Sequence, residues 1–161
     1  MAAKTNALKV TTPSDTEILL TREFDAPRDL VWKTITNPEL LPQWWGPRGT
    51  TLVVREFDFR VGGGWSYLSK GADGEHPFKG EYREIVAPEK IVQTFIYDVP
   101  PFNEMVAVEN MTLTERDGKT TLQTLVQHGS KEARDGHLQS GMEGGAGETM
   151  DRLEELLAKT A

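Results

Sequence analysis

The chain has 161 residues, of which 37% are hydrophobic and 27% charged, and its formal net charge is −7. Such a balance describes a soluble globular protein, and the acidic surplus argues against nucleic acid as the main partner. The sequence contains no cysteine, which excludes disulfide and thiolate chemistry and fits a reducing cytoplasm. No apolar run approaches the roughly 18 residues of a membrane-spanning helix, so no membrane partner is expected.

Residues 1–15 are rich in Thr, Lys, Ser and Pro. They read as a flexible N-terminal tail without a signal-peptide apolar segment. Residues 16–161 have the size of a single domain. Residues 17–24 (EILLTREF) carry strand formers. Asp25-Ala26-Pro27 then opens a helix whose buried side is Leu30, Val31, Thr34 and Ile35, with Trp32 beside them; Pro suits a first helical position. Asn37-Pro38 repeats the start signal for a second short helix over 39–43. Trp44-Trp45-Gly46-Pro47 follows, two aromatics and two breakers.

From residue 50 the pattern is that of strands. Residues 51–59 (TLVVREFDF) alternate, with Val53, Phe57 and Phe59 expected on one face. Strands are also expected over 65–69, 78–86 and 91–97, set apart by Gly62-Gly63-Gly64, Ala72-Asp73-Gly74 and Pro88. The runs 105–115 and 120–128 flank Asp117-Gly118 and form the strongest hairpin signal in the chain. A short helix is expected over 130–138.

The last stretch, 140–159, organises the rest. Met142, Ala146, Met150, Leu153 and Leu157 make one helical stripe, and acidic and basic residues fill the other sides. Ser140 and Glu143 have the spacing of a capping box. Gly141, Gly144, Gly145 and Gly147 crowd the first half, each interior Gly costing about 1 kcal/mol against Ala. Either another backbone passes close, or the space above stays open, or the first half is frayed. Sequential antiparallel strands closed by a helix imply an α+β domain. A sheet of six to seven twisted strands curls around that helix.

No metal and no cofactor is expected. His76, His128 and His137 are dispersed and no HExxH occurs. The glycine run 62–64 is followed by a strand rather than a helix, and 144–147 lacks the Lys of a phosphate loop. No G-x-S-x-G is present. His128 shares a strand face with Leu122 and Val126 and reads as a hydrogen-bonded core histidine rather than a catalytic base. Glu109, between Ala107 and Met111 on an apolar face, reads as a strand-end salt bridge rather than a general acid. No acid–base pair is visible, so no catalytic residue is assigned.

The informative signal is aromatic. Trp45, Phe57, Phe59, Trp65, Tyr67, Phe78, Tyr82, Phe95 and Tyr97 fall around the expected concavity. Met111, Met142 and Met150 add adaptable thioethers, and His128 with the tyrosines adds polar tips. Apolar walls with a few polar groups are the usual lining of a small-molecule site.

The segments FDAPRDLVWKTITNPELLPQWWGP, FDFRVGGGWSY, FKGEYREIVAPEKIVQTFIY, LTERDGKTTLQTLVQH and SKEARDGHLQSGMEGGAGETMDRLEELL resemble the activator of Hsp90 ATPase homologue (AHSA1-like) family. That family lies within the START/Bet v 1-like, or SRPBCC, superfamily. The resemblance covers about residues 17–159. It implies a helix-grip fold: a curved antiparallel sheet of six to seven strands around a long C-terminal helix, two short helices after the first strand, and a deep cavity between sheet and helix. It marks Asp58, Arg60, Gly62 and Gly63 as architectural. Superfamily members include lipid and hormone binders, polyketide cyclases and co-chaperone domains. The expectation is a bacterial, cytoplasmic protein, monomer or homodimer, binding a small hydrophobic or aromatic ligand in that cavity. The alternatives are an enzyme acting on a polycyclic or aromatic substrate there, or a chaperone-associated interaction module.

Overall fold

The computed structural model describes residues 7–160. Eight strands form one antiparallel sheet: β1 Lys9–Thr11, β2 Glu17–Phe24, β3 Thr51–Phe57, β4 Gly64–Gly71, β5 Gly74–Val86, β6 Lys90–Tyr97, β7 Ala107–Arg116 and β8 Lys119–Gln127. Helix α1, Arg28–Ile35, and a single 3-10 turn, Leu41–Gln43, follow β2; α2, Lys131–Gln139, and α3, Met142–Thr160, close the chain. The spatial order is β1-β2-β8-β7-β6-β5-β4-β3. Strand β2 therefore lies beside the last strand, β8, and the sheet stays open at β1 and β3.

The fold is the expected helix-grip α+β arrangement with eight strands instead of six to seven. The additional strand, β1, lies within the stretch read as a tail and pairs Lys9 with Thr21 and Thr11 with Leu19; residues 1–6 lie outside the described residues. The β7–β8 hairpin turns at Asp117-Gly118, both at positive φ (54° and 77°), the geometry that Asp-Gly supplies in a two-residue turn. Ser130 caps α2 by accepting a hydrogen bond from the Ala133 backbone N–H at 3.1 Å.

Helix α3 crosses the concave face. Its Leu153, Leu156 and Leu157 join Phe24, Val31, Trp32, Leu113 and Leu122 in the main core. A second, smaller core gathers Ile18, Ala107 and Val126, with Leu138 of α2 and Met142 of α3 against them. Arg22 turns inward from mid-β2 and is 2% exposed. Its Nη1 donates to Asp151 Oδ1 at 2.8 Å, its Nη2 pairs with Glu154, and its guanidinium lies 5.3 Å from the Phe24 ring centre. Desolvation offsets much of the attraction in such a buried group, so its main consequence is to fix α3 against β2.

Three local expectations are corrected. Val53 is 41% exposed and does not share a face with Phe57, because the β3–β4 register shifts between Val54 and Glu56; one extra residue reverses every later side chain. Ser140 does not begin α3: its hydroxyl donates back to the His137 carbonyl at 2.6 Å, ending α2, and Gly141 at φ +83° turns the chain into α3. Asp151 and Glu154 do not face away from the sheet; Glu154 stands only about 40° round the helix from Met150, within reach of Arg22.

Candidate functional site

The strand register places the aromatic residues on the concave face. Trp45, carried by the segment after the 3-10 turn, packs edge-on against Tyr67 and Phe78 with ring centres 5.2 and 5.4 Å apart. Tyr67 meets Trp65 at 4.8 Å, Trp65 meets Phe95 at 5.9 Å, and Phe78 meets Phe95 and Tyr97 at 5.4 and 5.3 Å. A second group, Phe57, Phe59 and Tyr82, closes the β3 side, with Phe59 also against Trp32 at 6.0 Å. Met111 and Met150 pack on the same core, whereas Met142 belongs to the smaller one.

Gly80 is what lets Trp65 lie flat here. A Cβ at that position would stand 2.0 Å from the Thr94 carbonyl oxygen and 2.4 Å from Trp65 Nε1.

A polar row runs through this apolar surface. Tyr82 pairs with Gln93, Gln93 with Glu109, and Glu109 with Val126 across β5, β6, β7 and β8. Gln93 Nε2 donates to Glu109 Oε1 at 2.9 Å. Burial raises the Glu109 carboxyl from 4.5 to about 7, against the opposing effect of the Gln93 hydrogen bond. Burial likewise pushes the Tyr67 and Tyr82 phenols up, and the Tyr67 hydroxyl hydrogen-bonds towards Tyr82 and feels the Glu109 charge. Glu109 is thus no strand-end salt bridge: it stands mid-sheet, beside tyrosine, near the pH at which a carboxyl can both give and take a proton.

His128 follows β8 on the same face, and its Nε2 lies 3.0 Å from Nδ1 of His137 on α2. Burial lowers both imidazoles, His137 to about 4, so the two rings are neutral at pH 7 and one donates to the other. His137 also stacks on Phe95, 6.5 Å between centres. At the β4–β5 end, His76 Nδ1 is 2.8 Å from the Tyr97 hydroxyl and its Nε2 3.1 Å from Asp73 Oδ2. Among the described residues no three His, Asp or Glu side chains gather as a metal site would require.

The first half of α3 is bare. Added Cβ atoms at Gly144, Gly145 and Gly147 would meet nothing within 4 Å, so of the readings the glycines allowed, a close-passing backbone is excluded; the segment is helical from Met142. On the concave face of the sheet, Phe78, Phe95, Gln93, Glu109 and Met111 keep partial exposure. The deep enclosed cavity expected between sheet and helix is not what the described residues show. A shallow groove of about 330 Å³ is lined by Lys79, Glu81, Arg83, Thr94, Ile96 and Val106. It lies on the opposite face, since Lys79 and Ile96 alternate with Phe78 and Tyr97. Exposed side chains of mixed charge line it.

Of the residues expected at the site, Trp45, Trp65, Tyr67, Phe78, Phe95 and Tyr97 are brought into one ring cluster, with Phe57, Phe59 and Tyr82 joined to it through the sheet. His128 and Met142 stand apart at the α2 end. Gln93, Glu109 and His137 are the members the sequence reading left out. Alternation placed Glu109 on the apolar face, but its partner, 16 residues away on another strand, is set by register alone.

Residues 25–158 match the family model described as Activator of Hsp90 ATPase homolog 1-like protein. The chain belongs to this family. Solved structures of the same type agree across the length of this AHSA1-like chain. A Rhodobacter sphaeroides protein superposes with a TM-score of 0.85 at 24% identity, covering 96% of this chain and 99% of its own. A Mycobacterium smegmatis protein gives 0.84 at 27% identity, covering 94% and 96%. The AHSA1 protein of Silicibacter pomeroyi gives 0.73 at 20% identity, covering 90% and 99%. Among curated proteins none matches. No helix among the described residues is long and apolar enough to cross a membrane.

Proposed function

We propose that this AHSA1-like chain binds a small hydrophobic or aromatic molecule between the concave face of the sheet and α3. The supporting observation is the pairing of two half-surfaces: inward-facing Trp45, Phe78, Phe95 and Met111, left partly accessible, and a helix wall whose glycines have free space above them. Apolar side chains that face inward yet stay unburied gain stability when something apolar covers them. The superfamily's use of this fold for ligand binding points the same way. Native mass spectrometry of freshly purified protein tests it, together with Trp fluorescence titration by naphthalene-type probes. A co-purified small molecule, or saturable quenching that Phe95→Ala weakens, supports the reading. No bound mass and no saturable quenching by any apolar probe refutes it.

A second reading is catalysis on an aromatic substrate in the same place, and Glu109 favours it. A carboxyl raised to about 7 whose charge reaches the Tyr67 phenol is suited to general acid–base work. Turnover of a bound substrate that Glu109→Gln abolishes while binding persists would select this reading over the first.

A further inference from the structure

The chemistry of the occupant is narrowed by Glu109, an inward carboxyl for which the described residues supply no cation. Resting on the binding reading above, we propose that the ligand is an organic cation: a protonated amine or ammonium group on an aromatic or aliphatic body, with Glu109 as its counter-ion and the neighbouring rings as its walls.

The argument begins with what Glu109 has and lacks. A carboxylate offers about four acceptor sites, and Gln93, a neutral amide, fills one of them at 2.9 Å. The other inward charges of the concave face satisfy one another: Arg22 is held by Asp151 and Glu154. Arg48 reaches Glu155 and Lys79 reaches Asp98, both at the surface. What perturbs Glu109 is burial and Gln93, with no Lys or Arg contributing. Val126 and Met111 flank it on the same face. A carboxylate among apolar neighbours without a counter-charge is unfavourable, and a cation supplied by a ligand removes that cost.

The surroundings suit a cation as well. Tyr67 lies close enough to Glu109 to feel its charge. Trp65 and Trp45 stand 4.8 and 5.2 Å from Tyr67, ring centre to ring centre. Aromatic faces attract an ammonium group within about 6 Å of their centres, most strongly when water is excluded. A carboxylate backed by indole and phenol rings therefore discriminates by charge. An anion would meet Glu109 with no compensating Lys or Arg, and a neutral ligand would leave the carboxylate as it stands. The net charge of −7 adds long-range attraction for cations.

The experiment uses three probes of one shape: 2-naphthylmethylamine, 2-naphthylmethanol and 2-naphthoate, titrated by calorimetry or Trp fluorescence at pH about 8, where carboxyl and amine are both ionised. The amine is expected to bind roughly tenfold or more tighter than the alcohol, the scale of one charged hydrogen bond, and the acid weakest. Glu109→Gln should bring the affinity of the amine down to that of the alcohol. Glu132→Gln, which removes the same charge from the surface of α2, should leave the amine preference intact. Equal affinity of amine and alcohol in the native chain would overturn the proposal without touching the binding reading, as would an amine preference that survives Glu109→Gln. Failure of all three probes to bind would overturn the proposal, and only together with the absence of any co-purified mass would it remove the binding reading as well.

Discussion

Replacing Gly145 separates an open helix wall from ordinary close packing. The residue is helical, its N–H donates to the Gly141 carbonyl at 3.2 Å, and an added Cβ would meet nothing within 4 Å. Gly145→Ala should therefore stabilise the protein by about 1 kcal/mol, the helix propensity difference, which is a rise in Tm of about 2–4 °C for a chain of this length. Gly145→Leu should keep roughly 0.8 kcal/mol of that gain, because the longer side chain also finds space. The same Leu should weaken binding of any probe that sits against this side of α3. Urea and thermal unfolding give the stability change, and fluorescence titration gives the affinity. If the glycines mark a tight helix–sheet contact instead, Leu overfills it and stability falls by about 1–3 kcal/mol; that result, with unchanged probe affinity, would refute the reasoning.

Gly80 makes the opposite case: its Cβ would stand 2.0 Å from the Thr94 carbonyl oxygen, so Gly80→Ala should cost about 3 kcal/mol, the top of the usual overpacking range, and near-UV circular dichroism of Trp65 should change. Arg22→Leu leaves Asp151 and Glu154 without their buried cation and should cost about 3–5 kcal/mol, most of it recovered when both acids are also made Leu; a loss below about 1 kcal/mol would show that the group does not hold α3. The pH dependence has two opposed parts. Glu109 is raised from 4.5 to about 7, so the folded state holds a proton the unfolded chain releases, and the stability it gives below its unfolded value is lost as pH rises through about 7, on the order of 3 kcal/mol in all. His137 is lowered from 6.5 to about 4, so its stability is present above 6.5 and lost as pH falls towards 4. Between about pH 7 and pH 5 the two parts nearly cancel, so Glu109→Gln should expose a net loss of stability on acidification and His137→Gln a net gain; urea midpoints at the two pH values check both, and parallel curves for all three proteins would contradict the assignment.

The sequence by itself determined the elements whose cause is local. Alternating apolar residues produce β6, β7 and β8, and Asp117-Gly118 supplies the two positive φ angles of their hairpin. Ser130 caps α2 within its own first turn, and the stripe from Met150 to Leu157 is buried as its spacing requires. The family segments, read together, carried the helix-grip topology. Only the tertiary structure decided features that depend on residues far apart. Strand β1 is three residues long, too short for any periodicity, and exists because β2 offers an unpaired edge. The bulge after Val54 reverses the outer half of β3, which no alternation count can anticipate. Arg22 pairs with acids about 130 residues away and looks, in sequence, like any polar strand residue. Glu109 becomes a half-buried carboxyl hydrogen-bonded to Gln93, in one row with Tyr82, because register aligns β5, β6 and β7. Hydrophobic period fixes which way a side chain points within its own element, whereas the company it keeps there, and hence its charge and chemistry, follows from the register and packing of the whole sheet.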